Sequence, residues 1–172
     1  EGESMKRLYL LRHGQTEFNV KKLVQGRCDS PLTDLGRQQA GMAATWIKAH
    51  NVVPDKVVSS PLGRAMDTAQ LVATELAAVE PCEGIIERCY GTFEEGPHDA
   101  LPTDVWDPGE DLVPFGGEGS KALQERMVAT LTNLMSADGI ETLLAVSHGS
   151  ASRQFIKAAA PEGFELPAKL PN

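Results

Sequence analysis

The chain is short of cations, cysteines, histidines and long apolar runs, and each shortage narrows what it does. Against 24 Asp and Glu stand 16 Lys and Arg, a net charge of -8 with pI near 5.0. That balance argues against nucleic acid as a partner, because such binding rests on basic patches that neutralise phosphates. A small anionic substrate stays open: screening ends the global field beyond ~8 Å, whereas a charge pair at ~4 Å is worth ~4 kcal/mol at an effective dielectric of 20. No apolar stretch approaches the ~20 residues of a membrane span, so no membrane is expected as a partner. The three cysteines, Cys28, Cys82 and Cys89, lack C-x-x-C spacing and read as free thiols in a reducing, cytoplasmic setting. His13, His50, His98 and His148 are scattered without H-x-H or H-E-x-x-H spacing, and no metal is expected.

What is present is enough for a core. A chain of 172 residues buries roughly 70% of its unfolded surface without staples. Glu1 to Ser4 precede a plausible initiator, Met5, with no apolar signal-peptide region, and read as an expression remnant. Residues 5–172 are expected to form a single catalytic domain. Lys6 to Leu11 reads as a buried strand, followed by a polar loop containing Gly14, Gly26 and Pro31. Thr33 is placed to cap a helix from Asp34 to about His50, with Leu35, Met42, Ala43, Trp46 and Ile47 at three-and-four spacing. Lys56 to Ser59 is a β-branched strand, and Ser60-Pro61 reads as an N-cap serine with proline at the first helical position. The helix after it carries Leu62, Ala65, Met66, Ala69, Val72 and Leu76 on one stripe. Ile85-Ile86 is expected as a brief third strand ending at Glu87. Residues 92–118, broken by Pro97, Pro102, Pro108 and Pro114, read as an irregular segment, either a lid over a site or a disordered stretch. A helix from Ser120 to about Ala137, a strand Leu143 to Val146, a helix from near Ser150 and coil from Pro161 complete an α/β pattern with a mainly parallel sheet.

In such sheets ligands bind beyond the carboxyl ends of the strands. Arg12 and His13 follow the first strand, Arg64 the second, Glu87 ends the third and His148 follows the fourth. Each has a plain alternative: a turn histidine beside glycine, a surface pair of Arg64 with Asp67, a solvated Glu87. Convergence on one edge favours a site. Two guanidiniums are planar donor forks for phosphate oxygens, and a histidine can carry a phosphoryl group covalently. His13 is then the nucleophile, held neutral by nearby cations, while Arg12, Arg64 and His148 neutralise charge at the transition state. Glu87 is the general acid and then the base. Asn19 can hydrogen-bond the phosphoryl group or the substrate.

These residues also carry a family resemblance. Leu11-Arg12-His13-Gly14-Gln15-Thr16-Glu17-Phe18-Asn19 resembles the opening motif of the histidine phosphatase superfamily, also called the phosphoglycerate mutase-like family. Further blocks follow in the family's order: Gln25-Gly26-Arg27, Asp29-Ser30-Pro31-Leu32-Thr33, Gly36 with Gln39-Ala40, Ser59-Ser60-Pro61 with Arg64-Ala65 and Thr68-Ala69, Glu87 with Tyr90-Gly91, Gly117-Glu118, and Ser147-His148-Gly149. The resemblance implies a three-layer α/β/α sandwich with a mainly parallel central sheet, and a phosphohistidine mechanism without metal or other cofactor. It implies His13 as the phosphorylated residue, Arg12, Arg64 and His148 as the phosphate pocket, Glu87 as proton donor, and Asn19, Gln25, Gly26 and Gly149 as substrate contacts. Three departures stand out. Glu95 replaces the last glycine of a G-x-W-E-G pattern, Gly119 stands where serine commonly follows Gly-Gly-Glu, and the further strand that members usually add after the last helix is not evident before Asn172.

The family contains phosphatases and mutases. Residues 92–118 hold eight acidic residues, Glu94, Glu95, Asp99, Asp104, Asp107, Glu110, Asp111 and Glu118, and no Lys or Arg. A mutase must retain a bisphosphorylated carboxylate, which calls for cations at both ends, so the expectation is a phosphatase acting on a small phosphorylated metabolite. A cofactor-dependent phosphoglycerate mutase is the alternative, with Lys21, Lys22, Arg27 and Arg88 as a second anion site. A non-catalytic binding protein of the same fold is a third. The sequence leaves the oligomeric state open.

Overall fold

A computed structural model of the chain describes residues 5–166; residues 1–4, read above as an expression remnant, and the last six residues lie outside them. Four strands form one all-parallel sheet in the order β1-β4-β2-β3. β1 is Arg7–Arg12, β2 Lys56–Ser59, β3 Val79–Pro81 and β4 Thr142–Ser147. The registers Arg12↔Ser147 and Ser59↔Val146 align the carboxyl ends of the three inner-site strands.

Side chains alternate along each strand, so each strand feeds two cores. From β4, Leu143 and Ala145 join Val58, Leu123, Met127 and Leu131 on one face. Leu144 points the other way, with Val57, Ala40, Ile47 and Val72. Helices α2 (Asp34–Ala49) and α3 (Gly63–Val72) cover the second face, and α4 (Ser120–Ser136) and α5 (Gly149–Ala159) the first. The result is the expected three-layer sandwich. Thr33 caps α2 as expected, its side chain accepting from the Gly36 amide.

Three local expectations differ. Ile85 is no strand residue: it closes a 3-10 turn, Glu83–Ile85, and is fully buried against α4. The third strand is Val79–Pro81 instead, where proline is tolerated because β3 is an edge strand with a face that needs no ladder donor. Helix α3 starts at Gly63 after an N-cap, Leu62, that makes no side-chain hydrogen bond, and its stripe stops at Val72. The expected cap, Ser60, is used elsewhere. A short helix α1, Glu17–Lys21, escapes periodicity at five residues but is closed by a capping box between Thr16 and Asn19.

Residues 92–118 pack around a core of their own. Three 3-10 turns, Gly91–Phe93, His98–Ala100 and Val113–Phe115, fold over Val24, Tyr90, Leu101 and Leu112. Among the described residues no helix is long and apolar enough to cross a membrane.

Candidate active site

β1 ends at Arg12, and the His13 amide still donates to the Ser147 carbonyl at 3.1 Å, extending the ladder by one step to the paired strand ends. Gly14 then turns the chain against the start of α2; a Cβ there would stand 2.3 Å from the Gly36 carbonyl oxygen. The two histidines delivered by β1 and β4 meet edge to face, ring centroids 5.2 Å apart.

Both imidazoles are buried, His13 at 2% exposure and His148 at 0%. Burial pushes the His13 pKa well below its ordinary value, and the Arg64 and Arg12 charges push it the same way. The expected direction is found, with desolvation ahead of the cations as its cause. His148 is lowered well below its ordinary value for the same reasons, burial first. Both are therefore neutral near pH 7, and their tautomers follow from their partners. Nδ1 of His13 lies 2.7 Å from the Gly14 carbonyl, which only accepts. The proton sits on Nδ1 and the lone pair on Nε2. Nε2 of His148 lies 2.7 Å from Ser60 Oγ, and the Leu62 amide points at the same Oγ. With the Ser60 hydroxyl proton donated to Nε2, His148 holds its own proton on Nδ1, an atom that has no hydrogen-bond partner among the described residues.

Arg64 is 1% exposed and gripped by the loop it faces. Nη1 donates to the Cys28 carbonyl at 2.6 Å and Asp29 Oδ1 at 3.0 Å, and Nη2 to the Gly26 carbonyl at 2.6 Å. Its buried Nε has no hydrogen-bond partner among the described residues. Asp29, rather than the Asp67 of the plain alternative, is its ionic partner. Arg12 lies across Gly149: a Cβ on residue 149 would stand 3.1 Å from Arg12 Nε. Burial lowers the Arg12 pKa, opposed by the charge of Glu87.

Glu87, 7% exposed, sits at the start of α5. Its Oε1 accepts the Arg88 and Ala151 amides at 2.6 and 2.9 Å, and Oε2 accepts the Ser150 amide at 3.2 Å. Oε2 alone keeps a lone pair for a proton.

These groups enclose a cavity of about 50 Å³, lined at its floor by Arg12, His13, Arg64, Glu87 and Gly149, with Asn19, Gln25 and Gly26 at the side. Asn19 and Gln25 each commit a carbonyl oxygen to the loop, Asn19 to the Thr16 amide and Gln25 to the Thr16 and Ser30 hydroxyls. That leaves their amide NH2 groups as donors. Gly26 has φ +55 and offers its carbonyl to Arg64, so its part is to hold Arg64.

Three residues around the cavity have places that the sequence reading did not give them. Ser60 was assigned to a helix cap, and only the fold brings it to His148. Arg88, 0% exposed, does not face the cavity as a second anion site. Its Nε donates to Ser150 Oγ, Nη1 to the Gly109 and Glu118 carbonyls, and Nη2 to Ser120 Oγ. It ties the roof segment to the starts of α4 and α5. Trp106 closes the roof with His98, ring centroids 5.4 Å apart, and Val105.

None of the eight acidic residues of 92–118 lines the cavity. Glu118 is held by both arms of Arg126 at 2.7 and 3.0 Å. Asp107 is held on α5 by Lys157, Arg153 and Gln154. Burial pushes the Asp107 carboxyl up, but Lys157 and Arg153 outweigh it and hold it below the usual range. Glu110 stands where a side chain on Gly119 would collide, and accepts the Lys121 amide at 3.3 Å. It caps α4 in place of the missing serine. Among the described residues no three His, Cys, Asp or Glu cluster closely enough to hold a metal ion.

Residues 8–171 match the profile of the Histidine phosphatase superfamily (branch 1). The chain is 32% identical over 158 residues to the broad-specificity phosphatase YOR283W of Saccharomyces cerevisiae, covering 88% of this chain and 69% of that one. It is 34% identical over 155 residues to the probable phosphoglycerate mutase GpmB of Proteus mirabilis, covering 86% and 71%. Among solved structures, the phosphoserine phosphatase of Entamoeba histolytica in complex with 3-phosphoglyceric acid superposes with TM-score 0.74 at 35% identity, covering 87% of this chain and 77% of that one.

Proposed function

Because the chain belongs to the histidine phosphatase superfamily, we propose that it hydrolyses a small phosphomonoester through a phosphohistidine on His13, with residues 5–172 as a single catalytic domain. The observation that carries this is the pair of buried, neutral imidazoles in edge-to-face contact, with His13, whose Nε2 lone pair is uncommitted by its Nδ1–Gly14 contact, lining one cavity together with Arg12 and the buried Arg64.

In the first step, Nε2 of His13 bonds to phosphorus as the bond to the alcohol oxygen breaks. That oxygen leaves with the electron pair and takes a proton from Glu87 Oε2. Arg12, the Nε of Arg64 and the Nδ1–H of His148 face the phosphoryl oxygens, where fixed donors in a water-poor site act most strongly. Water then attacks phosphorus and gives its proton to Glu87, the P–N bond breaks, and inorganic phosphate leaves. Asn19 and Gln25 add amide donors at the side.

Hydrolysis rather than mutase chemistry is favoured by the fate of the cations. Arg88 spends its donors inside the protein, and Arg27 donates Nε to the Glu87 carbonyl with Nη2 beside Glu118. Neither lines the cavity, and neither do Lys21 and Lys22, which weighs against retention of a second phosphate.

The test is acid-labile phosphate on His13 after rapid quenching with a phosphomonoester, together with phosphate release. Both are expected in the parent and neither in His13→Ala. Isomerisation of 2- to 3-phosphoglycerate outpacing phosphate release would overturn the hydrolase assignment.

A further inference from the structure

The cavity has two ends of opposite chemistry. Its floor carries every cation that faces it, Arg12 and Arg64, and these meet the phosphoryl group. The outer wall is Leu23, Val24, Val105, Trp106 and the ring of His98. A volume of about 50 Å³ is far below the ~300–1,000 Å³ of clefts that enclose a whole organic ligand. The head of a substrate fits; its alcohol portion passes the wall and touches those side chains.

The wall is fixed from behind. His98 shares Nε2 with the Leu23 carbonyl at 3.2 Å, the Tyr90 hydroxyl donates to the Val105 carbonyl at 2.9 Å, and Asp107, next to Trp106, is clasped to α5. Beyond Arg12 and Arg64 no Lys or Arg lines the cavity among the described residues, Lys21, Lys22 and Arg27 included. Arg126 serves Glu118, Arg88 the roof and the helix starts, and Arg153 and Lys157 serve Asp107. A carboxylate or second phosphate on the alcohol would lose hydration against Leu23, Val105 and Trp106 without meeting a counter-charge.

Resting on the hydrolase reading above, we infer that the substrate is a phosphomonoester whose alcohol is uncharged and carries an aromatic or apolar group against Trp106. The enzyme rejects phosphorylated carboxylates such as 3-phosphoglycerate. A pocket wall of this kind discriminates by roughly 10- to 200-fold for a well-placed apolar contact.

The probes are benzyl phosphate, 4-carboxybenzyl phosphate and propyl phosphate, which share a primary-alcohol leaving group. Benzyl phosphate is expected to exceed 4-carboxybenzyl phosphate in kcat/KM by about 10-fold or more. Trp106→Ala is expected to raise KM for benzyl phosphate by about 10-fold with kcat little changed, to raise it less for the smaller propyl phosphate, and to be rescued by Trp106→Phe. Equal or faster turnover of the carboxylated ester overturns the inference while leaving hydrolysis intact, as does a loss in Trp106→Ala that is the same for all three esters. Phosphate release from none of them overturns the hydrolase reading and this inference with it.

Discussion

The cavity floor rests on the backbone ladder of two adjacent strands, β1 and β4, whereas its roof hangs from side chains that reach 21 to 62 residues along the chain. In the proposed reaction the floor carries the reacting atoms. The roof carries no reacting atom and is a set of clasps, Arg88, Glu118 with Arg126, and Asp107 with Lys157. Breaking the floor should abolish chemistry and leave the fold; breaking the roof should do the reverse.

The largest effect belongs to the floor. His13→Ala is expected to lower kcat/KM by about 10⁴-fold or more, with thermal unfolding little changed or slightly improved, since a buried imidazole is removed. A variant that folds normally and keeps a tenth of the parent's phosphate release would break the assignment. Next comes the roof. Arg88→Met leaves two carbonyls and two hydroxyls without their donor, and the expected loss is about 3–5 kcal/mol of stability, read from denaturant unfolding. If the midpoint stays put while kcat collapses, Arg88 belongs with the floor, and the contrast drawn between the two regions is wrong.

That contrast also marks what could be read from sequence. The floor was legible because strand runs ending in Arg12-His13-Gly14 and Ser147-His148-Gly149 obey local periodicity, and parallel topology then brings their ends together. Arg64 was legible for the same reason. Ile85 was misread because two buried apolar residues fit a strand or a turn equally well, and only packing under α4 decides. Ser60 and Arg88 were misread because each makes its contacts across a distance: a serine before proline is an ordinary cap in sequence, and an arginine after Glu87 looks available until its donors are traced. The acidic character of residues 92–118 was read as repulsion toward anions, yet those carboxylates mostly hold the segment in place.

A middle-sized effect sharpens how the floor is tuned. Ser60→Ala removes the hydroxyl that fixes His148 as an Nδ1–H donor, and kcat/KM is expected to fall about 10-fold, while Ser60→Thr restores it. Nitrogen-15 shifts of His148 should show a single tautomer in the parent and a mixture in the alanine variant. An unchanged tautomer would sink the role given to Ser60.

The two imidazoles also set the pH response of stability. Their folded-state pKa values lie below the ordinary 6.5, so below that pH the unfolded chain binds protons that the native site refuses. Stability is therefore full above about pH 7 and falls as pH drops below 6.5, by on the order of 1 kcal/mol per pH unit for each imidazole. Unfolding curves from pH 7 to 5 should show this slope, and His13→Ala should reduce it by about half. A parent whose midpoint is flat across that range would mean that the site takes up protons when folded.

The smallest effect lies at the roof's hinge to the chain. Glu95 occupies the position where the family pattern has glycine, and it does so at φ +70, the left-handed region that penalises a Cβ. The Glu95 amide donates to the Val24 carbonyl, so the conformation is imposed by the pairing of the roof with the site loop rather than by the residue. The side chain is exposed, and replacing it removes strain without removing a contact. Glu95→Gly relieves about 1 kcal/mol of backbone strain and gives some of it back through the greater freedom of glycine in the unfolded chain. A net gain of roughly 0.5 kcal/mol in unfolding free energy is expected, with kcat/KM for benzyl phosphate unchanged within about twofold. A loss of stability instead would show that the Glu95 side chain holds the roof in a way its exposure conceals, and would move it from strained spacer to clasp.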